Sequence, residues 1–236
     1  MLLSRMADGA PEIFASVQGE GPTTGVPSVF VRLAECNLVC TWCDTKYTWD
    51  WAHHDRRTET IELAIAEVVD RVTAVASGHR TVVITGGEPL LHRDELAAFA
   101  AALVARGFRI EIETNGTIEP TAALIEAVAQ WNVSPKLESS GNKKSARLRS
   151  GPLTAFAALE NANFKLVACS PEDLAEIATI AKTYAIAPER ITVMPEGTTA
   201  EQLAAKSQWL VEACQTTGYR LGTRLHVILW GLERGR

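Results

Sequence analysis

The sequence contains no apolar run approaching the roughly 18 to 20 residues that span a bilayer. Its opening segment, MLLSRMADGAPEIF, lacks the apolar core of a signal peptide. Both absences predict a cytoplasmic protein with no membrane partner. A basic surplus is missing as well, since 23 Lys and Arg stand against 28 Asp and Glu for a net charge of −5. That balance argues against a nucleic-acid-binding surface and favours small substrates, while leaving room for a local cationic pocket. Disulfide scaffolding is excluded by the five cysteines in 236 residues, an odd number and a low one. What the chain does have is apolar material, 47% of its residues, which excludes disorder and allows a large core. No internal repeat or low-complexity tract interrupts it, and the length fits a single domain over residues 1–236.

Strand and helix signals alternate along the chain. Ser28–Leu33 (SVFVRL), Thr81–Thr85 (TVVIT), Phe108–Glu113 (FRIEIE), Trp131–Ser134, Phe164–Ala168 (FKLVA) and Ile191–Met194 read as strands, and Arg224–Leu229 as a further strand near the C-terminus. Helical patterns cover Ile61–Ala76, Asp94–Arg106, Thr121–Gln130, Pro171–Tyr184 and Ala200–Thr216. Such alternation implies βαβ crossovers and a parallel sheet. Six strands before the last suit an α/β fold of the curved, incomplete (β/α)6 barrel type with an additional C-terminal strand. One segment, Leu137–Pro152 (LESSGNKKSARLRSGP), breaks the pattern. Its polarity and its cations Lys143, Lys144, Arg147 and Arg149 predict a solvated loop or a mobile lid over an anionic ligand.

The cysteines are unevenly spread. Cys36, Cys40 and Cys43 fall within eight residues, in a loop over residues 34–50, whereas Cys169 and Cys214 stand alone and read as small buried hydrophobes. The C-x3-C-x2-C spacing lets three thiolates occupy three irons of an iron–sulfur cube, leaving the fourth open. Thiolates also suit zinc, with His53 or His54 as a fourth ligand, although zinc sites usually present two separated cysteine pairs. Trp42 either stacks on a nucleobase or packs. Thr45, after Asp44, either joins the oxygen shell of a hard cation or serves a turn. Thr85-Gly86-Gly87-Glu88-Pro89 follows the second strand of the alternation, at the end where α/β folds place ligands. Its glycines allow close backbone approach, and Glu88 can accept from an ammonium group.

CNLVCTWC with TGGEP downstream resembles the radical S-adenosylmethionine (SAM) superfamily, and the resemblance extends to one family within it. PEIFASVQGEGPTTGVPSVFVRLAECNLVCTWCDT, TGGEP, IETNG and VSPK occur in this order in the 7-carboxy-7-deazaguanine synthases of the deazapurine (queuosine) pathway. The match is good over about the first 136 residues and holds only in outline beyond. The C-terminal HVILWGLERGR departs from the family's pattern, so neither Trp230 nor Arg236 receives a role.

The resemblance implies a 4Fe-4S cluster on Cys36, Cys40 and Cys43, with SAM chelating the open iron. Trp42, Cys43, Asp44, Gly87, Glu88, Ser134-Pro135-Lys136 and Met194–Gly197, which includes Pro195 and Glu196, match SAM-site positions. The implied substrate is 6-carboxy-5,6,7,8-tetrahydropterin. Arg32 matches a clamp for its carboxylate, Glu113 a partner for its amino and ring N–H groups, and Val17-Gln18-Gly19 and Thr85 further contacts. On the residues alone, Arg32 and Glu113 could instead form a salt bridge with each other. Thr45 matches a ligand of Mg2+. The implied reaction contracts the pterin ring with loss of ammonia, regenerates SAM and consumes no net electrons, with a flavodoxin or ferredoxin priming the cluster and a homodimer as the assembly. A glycyl-radical-enzyme activase, acting on a protein partner, and a non-catalytic zinc-binding module are the alternatives.

Overall fold

The computed structural model describes residues Met1–Arg236. Its ten strands are β1 (Leu2–Ser4), β2 (Ile13–Val17), β3 (Pro27–Leu33), β4 (Thr60–Glu62), β5 (Thr81–Gly86), β6 (Arg109–Thr114), β7 (Gln130–Val133), β8 (Ala162–Ala168), β9 (Ile191–Pro195) and β10 (Arg220–Leu221). They form one sheet in the order β10-β9-β8-β7-β6-β5-β3-β1-β4, with β2 paired to β3 outside this path. From β3 through β10 all neighbours run parallel, while β1, β2 and β4 add antiparallel pairs at the β3 side. The sheet has two ends and does not close, so the expected incomplete barrel is what forms.

The pleat explains both faces. Val29, Val31, Leu33, Val82, Ile84, Ile110, Ile112, Trp131, Val133, Phe164, Leu166, Ile191 and Val193 belong to one apolar cluster with the helical residues Val68, Val72, Leu96, Phe99, Leu103, Phe156, Ile177 and Leu210. Fully burying a side chain such as Phe99 contributes about 1.5 to 3 kcal/mol. Trp131 meets Phe156 edge-on with centroids 5.3 Å apart. The alternate positions carry Arg32, Thr85, Glu111, Glu113, Asn132 and Lys165, so the concave face is polar. Only Phe14, Phe30 and Val83 form a small apolar cluster there, with the two rings stacked at 5.3 Å.

Helices Ile65–Ala76, Arg93–Ala105, Ala122–Ala127, Ser150–Ala158, Asp173–Thr183 and Ala200–Thr217 occupy the crossovers. Thr121 and Thr199 cap two of them, each accepting a main-chain N–H at 3.3 Å. No helix is long and apolar enough to cross a membrane.

Three expectations need correction. Arg224–Leu229 is not a strand: Leu225–Trp230 is helical and buries only Val227, and the additional C-terminal strand is the earlier, two-residue β10. A short apolar run does not distinguish the two periodicities. Ile61 belongs to β4 and not to the following helix. Segment Leu137–Pro152 is not loop throughout. It holds turns of helix at Glu138–Ser140 and Lys144–Arg147, and Ser140, Asn142 and Arg147 are buried. Arg147 is responsible, because its guanidinium pairs with Glu176 at 2.6 Å and donates to the Lys136 carbonyl at 2.9 Å.

Candidate functional site

Beyond the end of β3 the chain turns into the cysteine loop, and Gly86 and Gly87 let the end of β5 press against it. A Cβ on Gly87 would stand 2.1 Å from the Glu35 carbonyl oxygen. All five cysteines are free thiols. Each sulfur of the clustered three accepts one N–H: Cys36 from the Leu38 backbone at 3.5 Å, Cys40 from Asn142 Nδ2 at 3.2 Å and Cys43 from Trp49 Nε1 at 3.3 Å. Burial pushes the Cys36 thiol up to about 12 and also raises Cys40, so a bound cationic metal is what would hold them as thiolates at neutral pH.

The donor set fits a cluster better than a single ion. No three His, Cys, Asp or Glu side chains converge on one metal position, whereas a cube separates its thiolates onto different irons. The histidines suggested for zinc are engaged elsewhere, His53 on Asp50 at 2.9 Å and His54 near Glu59 at 3.6 Å. The buried indole N–H of Trp42 has no protein acceptor, an unfilled bond at the wall where a ligand would lie.

A cavity of about 220 Å³ opens beside the cysteines on the concave face of the sheet. Its walls include Cys36, Cys40, Trp42, Cys43, Asp44, Thr45, Gly87, Ser134, Lys136 and Glu196 together with Val17, Gln18, Gly19, Arg32, Thr85 and Glu113. Lys136 donates to Ser134 Oγ at 2.8 Å and lies 5.7 Å over the Trp42 ring. Five further candidates, Glu88, Pro135, Met194, Pro195 and Gly197, do not line it. Glu88 is fully buried, and its carboxylate accepts from Leu90 N at 3.0 Å, Thr114 Oγ1 at 2.8 Å and Asn115 N at 2.6 Å. That carboxylate braces the β5 and β6 ends, and burial raises its pKa despite those donors. Met194 and Pro195 are buried at the end of β9, and the Gly197 carbonyl accepts from Arg224 at 2.7 Å.

Arg32 and Glu113 do not pair with each other. Arg32 Nε donates to Glu12 at 2.7 Å, and Tyr47 donates to the same carboxylate at 3.0 Å, while the terminal nitrogens of Arg32 have no protein partner. Glu113 accepts from Thr85 at 2.9 Å and Gln18 at 3.3 Å and lies 3.5 Å from Lys165. Thr45 Oγ1 caps nothing and lies 3.7 Å from Cys43 Sγ.

The residues that join these groups had no candidate role in the sequence. Lys165 on β8 pairs with Glu20 as well as Glu113, Glu20 accepts from Arg224 at 3.0 Å, and Arg224 reaches Asp44. The chain of charges thus runs from the cysteine loop across the cavity to β6. Burial alone would raise the Glu20 and Asp44 carboxyls, yet Lys165 and Arg224 hold Glu20, and Arg224 holds Asp44, below the usual range. His226 lies 3.9 Å from Glu20, and burial lowers its pKa. The alternation of FKLVA offered a signal for Lys165, which points opposite to Phe164 and Leu166. Nothing local marked Arg224.

Residues 32–163 match the model of the radical SAM superfamily. Over 95% of this chain and 96% of the relative, it is 38% identical to the 7-carboxy-7-deazaguanine synthase of Pyrobaculum aerophilum. The chain belongs to the 7-carboxy-7-deazaguanine synthase family. The synthase of Halobacterium salinarum is 37% identical over 93% of this chain and 89% of its own. Among solved structures, QueE from Escherichia coli superposes with a TM-score of 0.69 at 27% identity, covering 96% of this chain and 95% of that one. Streptococcus suis SuiB, at 15% identity and a TM-score of 0.55, shares the fold alone. As a radical SAM enzyme of deazapurine biosynthesis, this family member uses a 4Fe-4S cluster and SAM. Neither a glycyl-radical-enzyme activase nor a non-catalytic zinc module describes it.

Proposed function

We propose that the enzyme converts 6-carboxy-5,6,7,8-tetrahydropterin to 7-carboxy-7-deazaguanine and ammonia, with SAM used catalytically and Mg2+ assisting. The observation that carries this reading is a single cavity with three cysteines at one end and, along its walls, an arginine and a glutamate that are not spent on each other. Substrate and products balance without oxidant or reductant. The cluster and SAM, when bound, supply the one-electron chemistry that makes the ring contraction accessible.

The chain's own residues bind and orient. Cys36, Cys40 and Cys43 hold three irons. Trp42, Asp44, Gly87, Ser134, Lys136 and Glu196 form the SAM wall, with Glu88, Pro135, Met194, Pro195 and Gly197 supporting it from beneath. The terminal nitrogens of Arg32 clamp the substrate carboxylate. Glu113 accepts from the guanidine-like edge of the pterin, with Gln18 and Thr85 orienting it and Lys165 compensating its charge; Val17 and Gly19 complete that wall. Thr45 contributes a hydroxyl oxygen to Mg2+, a hard-cation ligand beside the carboxylate subsite. A flavodoxin or ferredoxin as electron donor, a homodimeric assembly, a cytoplasmic location and a single domain over residues 1–236 complete the reading.

Mass spectrometry of the products from anaerobically reconstituted enzyme with SAM, Mg2+ and the carboxytetrahydropterin is the test. The expected result is one 7-carboxy-7-deazaguanine and one ammonia per substrate, with SAM undepleted. An unchanged pterin overturns the reading.

A further inference from the structure

Segment Leu137–Pro152 stands against the cysteine loop. The Ser140 carbonyl accepts Thr41 N–H at 3.0 Å. Asn142 then grips the two preceding residues, its Oδ1 accepting Val39 N–H at 2.9 Å and its Nδ2 donating to Cys40 Sγ at 3.2 Å. A main-chain N–H can only donate, so the bond from Val39 fixes the amide orientation and sets the N–H side toward sulfur. Gly141, at φ 78°, makes this approach possible: a Cβ there would stand 2.8 Å from Thr41 Cγ2.

The grip is itself braced. Asn142 is 9% exposed, and its carbonyl accepts from Arg147 Nε at 3.2 Å. Arg147, 3% exposed, is the residue anchored to Glu176 and to the Lys136 carbonyl. Cys36 and Cys43 receive their N–H bonds from within the cysteine loop, from Leu38 and Trp49. Cys40 alone receives its bond from a separate part of the fold.

We propose that Asn142 is a positioning residue for the cluster, raising its reduction potential through the N–H bond to the Cys40 sulfur. The inference rests on the cluster assigned above and is independent of the substrate. Reduction adds negative charge to the cluster and its thiolates, so a donor aimed at a ligating sulfur stabilises the reduced form more than the oxidised one. The bond to Val39 keeps that donor aimed, and the Arg147 brace holds it against thermal loss.

The experiment is an EPR-monitored redox titration of the reconstituted holoprotein without SAM or substrate. Asn142→Asp keeps the acceptor for Val39 and the side-chain shape but turns an oxygen toward the sulfur. At fixed ambient potential its reduced-to-oxidised ratio is expected to fall about tenfold, a lowering of about 59 mV for one electron, with about four irons per chain retained. Asn142→Ala removes the donor without adding charge and is expected to shift the ratio in the same direction by a smaller factor. Parental potentials in both variants at full iron content overturn the proposal. So does loss of the cluster from both variants in a folded chain, which would make Asn142 a structural brace only. Failure of the parent chain itself to take up a four-iron cluster would instead overturn the site assignment.

Discussion

Replacing Lys165 by Met removes the positive charge that stands between two carboxylates on the concave face. Glu20 keeps Arg224 at 3.0 Å, but Glu113 keeps only the neutral donors Thr85 and Gln18. The Lys165–Glu113 separation of 3.5 Å corresponds to about 5 kcal/mol at an effective dielectric of about 20. Glu113 is 21% exposed, so water entering the cavity recovers part of this. The expected loss is about 3 kcal/mol, at the lower end of what breaking a buried pair costs. Urea denaturation of the iron-free chain measures it directly, and the thermal midpoint should fall by about 6 to 12 °C. Adding Glu113→Gln to the variant should restore part of the loss, because the uncompensated charge goes with it.

Through its other partner, Glu20, Lys165 also sets a pH dependence. Glu20 is held below its ordinary value of 4.5 in the folded chain, so its contribution to stability is complete above that pH and is lost as pH falls through the folded value. The parent should therefore lose stability below about pH 4.5 more steeply than Lys165→Met, in which part of the depression is gone. A loss below about 1 kcal/mol at neutral pH, together with an unchanged acid limb, would refute the role given to Lys165.

Three further outcomes are expected. Gly87→Ala forces a Cβ against the Glu35 carbonyl and displaces the cysteine loop, so the purified protein should carry well under its full iron while its circular dichroism is retained. Cys40→Ala should be colourless when purified without oxygen, and still cooperatively folded, because the apolar cluster on the convex face does not depend on that thiol. On the proposed substrate assignment, Glu113→Gln exchanges one acceptor for a donor toward the pterin edge; steady-state kinetics should show kcat/KM lower by at least about 30-fold, equivalent to about 2 kcal/mol.

Much of the parallel sheet was legible because its strands bury their convex side fully: FKLVA and TVVIT read as strands whatever surrounds them. The three N-terminal and edge strands were not, since β1 and β4 are three residues each and owe their form to pairing with each other and with β3. The reading of RLHVIL as a strand failed because Leu225–Trp230 buries one residue, leaving no face pattern to separate the two periodicities. The helical turns within the polar segment Leu137–Pro152 were not legible for a related reason. Its order comes from Arg147 reaching Glu176, twenty-nine positions away, which no local composition reveals.

The sequence by itself determined which residues could hold a cluster, because C-x3-C-x2-C is a constraint on a few bonds of loop and needs nothing distant. It also determined that β-strands would present Arg32, Thr85 and Glu113 on one face, because the pleat repeats every two residues. Only the tertiary structure decided how those charges are compensated. Lys165 and Arg224 lie 145 and 204 positions from Glu20, and burial makes their pairing necessary where exposure would make it optional. It likewise decided that Cys40 takes its N–H from Asn142, 102 positions on, because a donor can be aimed at a sulfur only after the sheet has brought two loops together.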